Sequence, residues 1–128
     1  MPREPRWVPR AAVDVIHFDQ LRLHGGLPGV RDDGALDSAL ARARNAYAYG
    51  KVTDLPRLAA AYGYAIASAH PFTDGNKRTA FLVMLVCLGL NGADFAAPEA
   101  EVVTTMLALA AGELSEEALA EWIGRWVR

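Results

Sequence analysis

Along most of this chain, apolar residues recur at steps of three and four, the spacing that places side chains on one face of an α-helix. Leu36, Leu40, Ala43 and Tyr47 form one such set, and we expect them to be the buried stripe of a helix. The helical segments predicted in this way lie at about residues 9–24, 34–47, 55–69, 77–90, 98–111 and 115–127. Strand signals are weak, although a short extended excursion or hairpin can form at 49–53. We therefore predict an all-α fold.

Residues that stop or cap helices lie at the ends of these segments. Gly25-Gly26 and Asn91-Gly92 supply helix ends. Asp32 or Asp33 can cap the second helix, and Ser115, followed by two glutamates, gives the last helix a capped and acidic first turn. Because no internal repeat or long linker separates the segments, we predict one domain over residues 1–128.

The segment 77–90, KRTAFLVMLVCLGL, is apolar on nearly all sides. A helix of this kind is normally surrounded by others, so we predict that it is the buried central helix of the fold. The first helix has a narrower apolar face, to which Val13, Ile16, Leu21 and Leu23 are expected to contribute.

Composition and charge narrow the classes of function. The 128 residues are 52% apolar and 22% charged, which is an ordinary globular balance. The formal net charge of −2 argues against broad attraction to nucleic acid or to an anionic membrane, so neither is expected as a partner. Cys87 is the only cysteine, which excludes an intramolecular disulfide and a cysteine-rich metal site. The longest apolar run, 80–88, is too short to span a bilayer, and the N-terminus does not resemble a secretory signal, so the expected location is cytoplasmic.

The stretch most informative about chemistry is His70 to Thr79, HPFTDGNKRT, in the turn that leads into the apolar helix. A helix start exposes backbone N–H groups and the positive end of the helix dipole, so it attracts phosphate groups. Lys77 and Arg78 add two cations in the first turn, where the dipole alone would disfavour them. A bound polyphosphate explains that placement.

This motif contains residue types suited to phosphate chemistry. His70 carries an imidazole that can accept a proton near neutral pH, so it is the candidate general base. Asp74 can hold a divalent cation that bridges phosphate oxygens. Gly75 allows a tight turn and a close approach to a ligand. Phe72 is expected to anchor the turn in the core rather than to take part in the chemistry.

The motif also contains groups that can contact phosphates directly. Asn76 can cap the helix or donate its amide N–H to a phosphate, while Lys77 and Arg78 can neutralise charge that develops during transfer. Taken singly, each motif residue favours the interpretation as an ordinary turn and cap, and only the combination favours a catalytic site. Four polar residues of the first helix are interpreted as structural, because nothing in the sequence couples them to a site. They are Asp14, His17, Asp19 and His24.

From His70 to Ala80 the sequence resembles the Fic/Doc superfamily, and within it the death-on-curing (Doc) branch. The Fic pattern is His-Pro-Phe-x-x-Gly-Asn-Gly-Arg with a second Arg three residues later. Here Lys77 replaces the second Gly, and Phe81 stands where the second Arg would be. Both departures match the Doc pattern, His-x-Phe-x-Asp-x-Asn-Lys-Arg-Thr-Ala. The likeness extends to residues 25–40, 52–54 and 112–115, and so covers nearly the whole chain.

The resemblance implies a Fic-type helical domain and the toxin of a toxin–antitoxin pair. Fic enzymes are transferases that generally move AMP from ATP to a protein hydroxyl. Doc is known instead as a kinase that phosphorylates a threonine of elongation factor Tu and so halts translation. The resemblance implies that the Lys at the Gly position reverses the bound nucleotide, so that ATP presents its γ-phosphate.

Carried onto this chain, the resemblance gives each motif residue a role with ATP and Mg²⁺ as cofactors. His70 would deprotonate the target threonine, and Asp74 would organise the Mg²⁺. The predicted nucleotide-binding set is Gly75, Asn76, Lys77, Arg78 and Thr79.

The sequence and the resemblance also bear on inhibition. No Glu in the chain is followed by Gly or Asn, so the self-inhibitory helix of many Fic enzymes, Ser/Thr-x-x-x-Glu-Gly/Asn, is absent. Inhibition is then expected from a Phd-type antitoxin, whose C-terminal segment folds into a groove on the toxin. The first helix and the connection 25–33 are the expected parts of that groove.

Three hypotheses remain open at this point. The leading one is a Doc-like protein kinase toxin. The second is AMP transfer to a protein hydroxyl, which Lys77 and Phe81 disfavour but Gly75, a Fic-like residue, favours. The third is a catalytically silent module that binds an anion or a partner, in which case a His70→Ala substitution would leave growth inhibition unchanged.

Overall fold

Six α-helices account for most of the part of the chain that the structure describes, residues 3–128 of a computed structural model. They are α1 Arg10–His24, α2 Asp33–Gly50, α3 Leu55–Ala69, α4 Asn76–Leu90, α5 Glu99–Ala110 and α6 Glu116–Trp126. These residues form no sheet, which confirms the predicted all-α class. Across residues 3–128, no helix combines the length and the apolar character that crossing a membrane requires.

Side-chain caps fix several of the helix starts. Asp32, Asp54 and Ser115 each accept a hydrogen bond from the backbone N–H three residues later, which satisfies a donor that a helix start leaves unpaired. Of the two predicted alternatives for α2, Asp32 is therefore the capping residue. Gly25 ends α1 with a φ of +79°, a left-handed value that glycine adopts without steric cost.

The core lies around α3 and α4. The third helix packs against α2, α4, α5 and α6, whereas α4 packs against α1, α3 and α5. As its sequence predicts, α4 is largely buried, but α3 shares the centre of the fold and buries more residues. The two helices approach closely at Gly63, where a β-carbon would overlap the side chain of Met84. The turn 70–75 thus joins two helices that are anchored in the core.

Two local details of the structure differ from what the sequence offered. Of the two possibilities open for residues 49–53, a hairpin does not form: α2 continues to Gly50, the chain turns at Lys51 with a φ of +56°, and residues 51–54 are a short connection outside any helix or strand. Short antiparallel bridges lie elsewhere, and one of them pairs Val30 with Phe72. Leu23 does not join the apolar face of α1 and is 61% exposed, because it points to a different side of the helix from the buried Val13.

Candidate active site

His70 lies immediately after the last turn of α3. It is the C-cap residue of that helix, with left-handed dihedral angles of φ +48° and ψ +55°, and its N–H donates to the carbonyl of Ile66. A residue with a β-carbon adopts this conformation only at a cost in free energy, so neighbouring contacts must hold it. The exposed imidazole borders a cavity of about 310 Å³, whose other lining residues are Ala67, Gly75, Asn76, Lys77, Arg78 and Ala110.

Arg31 supplies the contact that holds this helix end. Its Nε donates to the carbonyl of His70 at 3.0 Å, and its Nη2 donates to the same oxygen at 2.6 Å and to the carbonyl of Ala69 at 3.2 Å. A guanidinium at a helix C-terminus pairs with carbonyls that lack partners and with the negative end of the dipole. The sequence marked Arg31 only as part of a family likeness, because a contact across 39 residues leaves no local pattern.

The connection between α1 and α2 runs beside the motif turn. The N–H of Arg31 donates to the carbonyl of Pro71 at 2.7 Å, and the N–H of Thr73 donates to the carbonyl of Gly29 at 3.1 Å. With the bridge between Val30 and Phe72, these bonds form a short antiparallel pairing. The backbone of the motif turn is therefore fixed by a segment about 40 residues earlier in the chain.

Asp74 is held at both its carboxylate and its backbone. Its Oδ2 accepts a hydrogen bond from the N–H of Leu27 at 2.7 Å, and its carbonyl oxygen lies 2.8 Å from Nε2 of His17. Residues 3–128 contain no group of three or more His, Cys, Asp or Glu side chains arranged to hold a metal ion. One oriented carboxylate nevertheless fits Mg²⁺, which proteins commonly bind through one or two carboxylates together with substrate phosphates.

His17 of α1 belongs to this site, contrary to the prediction that nothing couples it to one. Its side chain is 6% exposed, and its ring stacks on Phe72 with a centroid distance of 3.8 Å and an interplanar angle of 13°. The same ring reaches the carbonyl oxygen of Asp74. Phe72 is itself buried, which is the position required of a hydrophobic anchor.

Asn76, the first residue of α4, uses its carboxamide to hold the turn. Its Oδ1 accepts from the N–H of Phe72 at 2.9 Å, and its Nδ2 donates to the carbonyl of Phe72 at 2.9 Å. The N-cap of α4 is Gly75, with a φ of +81°, and no side chain caps the helix. Asn76 thus does not cap α4, and a single amide hydrogen remains for a phosphate.

Lys77 and Arg78 lie in the first turn of α4 and border two cavities. In residues 3–128, neither side chain makes an ion pair with a carboxylate. Both line the cavity beside His70 and a second one of about 440 Å³. The second cavity is also lined by Gln20, His24, Phe81, Leu82, Glu99, Val102, Val103 and Met106. His24, interpreted from sequence as structural, is therefore near the two cations.

Thr79 does not share this exposed position. Its side chain is fully buried, and its hydroxyl makes no hydrogen bond within residues 3–128. This differs from the predicted contact with nucleotide, because a hydroxyl enclosed by the core cannot reach a ligand in either cavity. The sequence pattern could not reveal this, since the inward direction of residue 79 depends on how α4 packs.

The structure therefore places an imidazole and two cations around one cavity, with a carboxylate in the turn that leads to them. His70 and the pair Lys77–Arg78 line one cavity, and Asp74 precedes the helix start that carries the cations. The uncapped N–H groups of α4 add positive potential at the same place. This arrangement can bind a polyphosphate and accept a proton from a hydroxyl beside it.

Comparison with known proteins places this motif in a family context. Residues 7–88, which include the motif, match the model of the Fic/DOC family. The chain is 36% identical over 111 residues to "Protein kinase doc" of Escherichia phage P1, and the match covers 86% of each chain. It is 46% identical over 76 residues to "Toxin Doc" of Mycolicibacterium smegmatis, with 57% of each chain covered.

Proposed function

This chain belongs to the Fic/DOC family, and on that basis we propose that it is a Doc-like toxin that transfers the γ-phosphate of ATP to a threonine hydroxyl of a protein. The proposed target is elongation factor Tu, whose modification would halt translation. The names of its relatives, a protein kinase and a toxin, support both the reaction and the biological role.

One observation carries the proposal. The cavity of about 310 Å³ is lined jointly by His70, Lys77 and Arg78, so a proton acceptor and two phosphate-binding cations face the same space. Phosphoryl transfer depends mainly on positioning the reactants and neutralising charge on the phosphoryl oxygens. A cavity that holds both kinds of group is suited to that reaction.

In the proposed reaction, the imidazole of His70 takes the proton of the target hydroxyl as the hydroxyl oxygen attacks the γ-phosphorus of ATP. The bond between the γ-phosphorus and the bridging oxygen breaks, and ADP leaves. Lys77 and Arg78 hold phosphate oxygens and neutralise the charge that develops on them, Arg78 through two parallel N–H bonds. Arg31 keeps His70 at the edge of the cavity through its carbonyl.

Asp74 would hold Mg²⁺, which supplies further neutralisation of the phosphate charge when it is bound. The carboxylate is suited to this because Leu27 fixes one of its oxygens while Oδ1 makes no hydrogen bond within residues 3–128. The turn that carries Asp74 leads directly into the helix start with the two cations.

Lys77 is the residue that favours γ-phosphate transfer over AMP transfer. Its side chain occupies space and adds a cation where the Fic pattern has glycine, and it lines both cavities. A nucleotide held by its terminal phosphates at this helix start presents the γ-phosphorus to the base. Gly75 remains a Fic-like feature, and the experiment below therefore follows both phosphorus atoms.

Inhibition is proposed to come from a Phd-type antitoxin whose C-terminal segment binds along α1 and the connection 25–33. Both segments carry exposed apolar side chains, among them Phe18 of α1 at 66% and Leu27 of the connection at 65%. The N–H of Leu27 donates to Asp74, so a partner seated here would touch the metal-binding turn.

The test uses the purified chain, elongation factor Tu and Mg²⁺ with ATP labelled in parallel at the α- or the γ-phosphorus. We expect label on the factor from γ-labelled ATP alone, and its loss with His70→Ala. Label from α-labelled ATP would make the protein an AMP transferase instead. Transfer to the factor from neither would contradict the proposed reaction with this target, and labelling of a whole lysate would then show whether another protein is modified.

A further inference from the structure

We propose that His17 is a positioning residue for the metal-binding turn, and that it acts on Mg²⁺ and nucleotide binding through the backbone of Asp74. This inference rests on the proposed function, because it concerns how the same site is held. His17 lies in α1, 57 residues before Asp74 and outside the motif.

The contacts of His17 are directed at the motif turn. Nε2 lies 2.8 Å from the carbonyl oxygen of Asp74, and the ring stacks at 3.8 Å on Phe72. The ring edge is also close to the α-carbon of Gly75, because a β-carbon there would lie 3.5 Å from Cδ2 of His17. One buried imidazole therefore contacts Phe72 and Asp74 and lies beside Gly75.

The hydrogen bond to Asp74 fixes a peptide plane that the rest of the site depends on. A carbonyl only accepts hydrogen bonds, so Nε2 of His17 must carry the proton. The plane between Asp74 and Gly75 sets the left-handed turn at Gly75, whose φ is +81°. The conformation of this turn sets the direction of the first N–H groups of α4 and of the two cationic side chains that follow them.

The carboxylate of Asp74 is fixed by a second and separate contact. Leu27 holds Oδ2, while His17 holds the backbone of the same residue. Removing a group that orients a metal-binding residue commonly changes the metal affinity, even though that group does not touch the metal. A substitution of His17 leaves the Leu27 bond in place. The change in affinity that it causes therefore measures what the contact with the Asp74 backbone contributes to metal binding.

Two substitutions separate the donor from the ring. His17→Phe keeps a flat ring against Phe72 but has no N–H for Asp74, and His17→Gln keeps a side-chain N–H donor but has no ring. Binding of Mg²⁺·ADP is measured by titration calorimetry, and helix content and the melting temperature are recorded for each variant. This readout does not depend on catalysis.

We expect His17→Phe to bind Mg²⁺·ADP about tenfold more weakly than the parent chain, the range in which such supporting contacts act, while keeping its helix content. We expect His17→Gln to retain most of the affinity. Equal affinity of the Phe variant and the parent chain would overturn the proposal. So would a His17→Gln variant that binds as weakly as His17→Phe.

A measurement on the unsubstituted chain tests the proposal even if a variant fails to fold. The ¹⁵N shifts of the imidazole of His17, assigned by comparison with His24→Asn and His70→Ala, report which ring nitrogen carries the proton. A protonated Nε2 is expected, and an unprotonated Nε2 would overturn the proposal. Absence of γ-phosphate transfer by a chain that still binds Mg²⁺·ADP would contradict the proposed function alone, leaving the comparison of variants valid.

Discussion

At the scale of single residues, the backbone conformation of His70 depends on Arg31, a residue outside the motif. The left-handed conformation of His70 is costly for a residue with a β-carbon, and the guanidinium bonds to the carbonyls of Ala69 and His70 offset that cost. His70 and the residue that holds its backbone come from segments 39 residues apart.

Arg31→Ala should therefore lower both stability and activity. We expect the free energy of unfolding to fall by about 1 kcal/mol, the net value of such hydrogen bonds, and γ-phosphate transfer to fall because His70 is no longer fixed. Arg57→Ala is the matched control, since Arg57 is also exposed and its guanidinium makes no hydrogen bond within residues 3–128. Urea unfolding and transfer rates that change equally in the two variants would contradict the role given to Arg31.

The lone cysteine gives a second prediction at this scale. Burial raises the pKa of the Cys87 thiol from its ordinary value of 9.0 to about 12, because a thiolate is poorly solvated in the core. A disulfide reagent at pH 8 should leave the folded chain unlabelled and label it fully in denaturant. Stability from the neutral thiol is fully present below pH 9 and is lost as the pH rises towards 12. Rapid labelling of the folded chain would show that Cys87 is accessible.

At the scale of helices, the close approach of α3 and α4 depends on Gly63. A β-carbon at this position would overlap the side chain of Met84, which is buried and has little room to move. Gly63→Ala is expected to lower the free energy of unfolding by about 1–3 kcal/mol, the cost of overpacking a core.

Gly89 of α4 provides the control for that substitution. It is exposed, and no neighbouring atom would lie within 4 Å of an added β-carbon. Gly89→Ala should raise the free energy of unfolding by about 0.5–1 kcal/mol, because alanine favours the helix. Thermal unfolding in which both variants change in the same direction would contradict the packing described for α3 and α4.

The helices themselves could be predicted because their signals are local. The apolar steps of three and four and the caps Asp32 and Ser115 act within a few residues of one another. The exact end of α2 and the path of residues 49–53 could not be predicted, because no local signal fixes them. Whether α2 ends at Tyr47 or continues to Gly50 is decided by packing and by the turn at Lys51, which sequence spacing does not reveal.

The candidate site was predictable only in part. Its motif is contiguous, so His70, Asp74, Lys77 and Arg78 could be recognised together. The supporting residues His17 and Arg31 lie 57 and 39 residues from the groups they hold, and only the fold brings them close. Thr79 follows the cations in sequence, yet its side chain faces the core because successive helical residues point to different sides.

At the scale of the whole molecule, the site is assembled from α1, the connection 25–33, the turn between α3 and α4, and the first turn of α4. A ligand that binds all of them should stabilise the folded chain as a unit, by about 2.7 kcal/mol at a concentration one hundred times its dissociation constant. We expect Mg²⁺·ADP to raise the melting temperature of the parent chain and to raise it less for Asp74→Asn. An equal increase in melting temperature for both chains would show that Asp74 does not contribute to metal binding.

The most direct test of the central claim is mass spectrometry of elongation factor Tu after incubation with the chain, Mg²⁺ and ATP. The proposed function, which takes this target from the family resemblance, predicts a phosphate on a threonine of the factor, present with the parent chain and absent with His70→Ala. An AMP group on the factor, or an unmodified factor in both reactions, would contradict the claim that this site phosphorylates it.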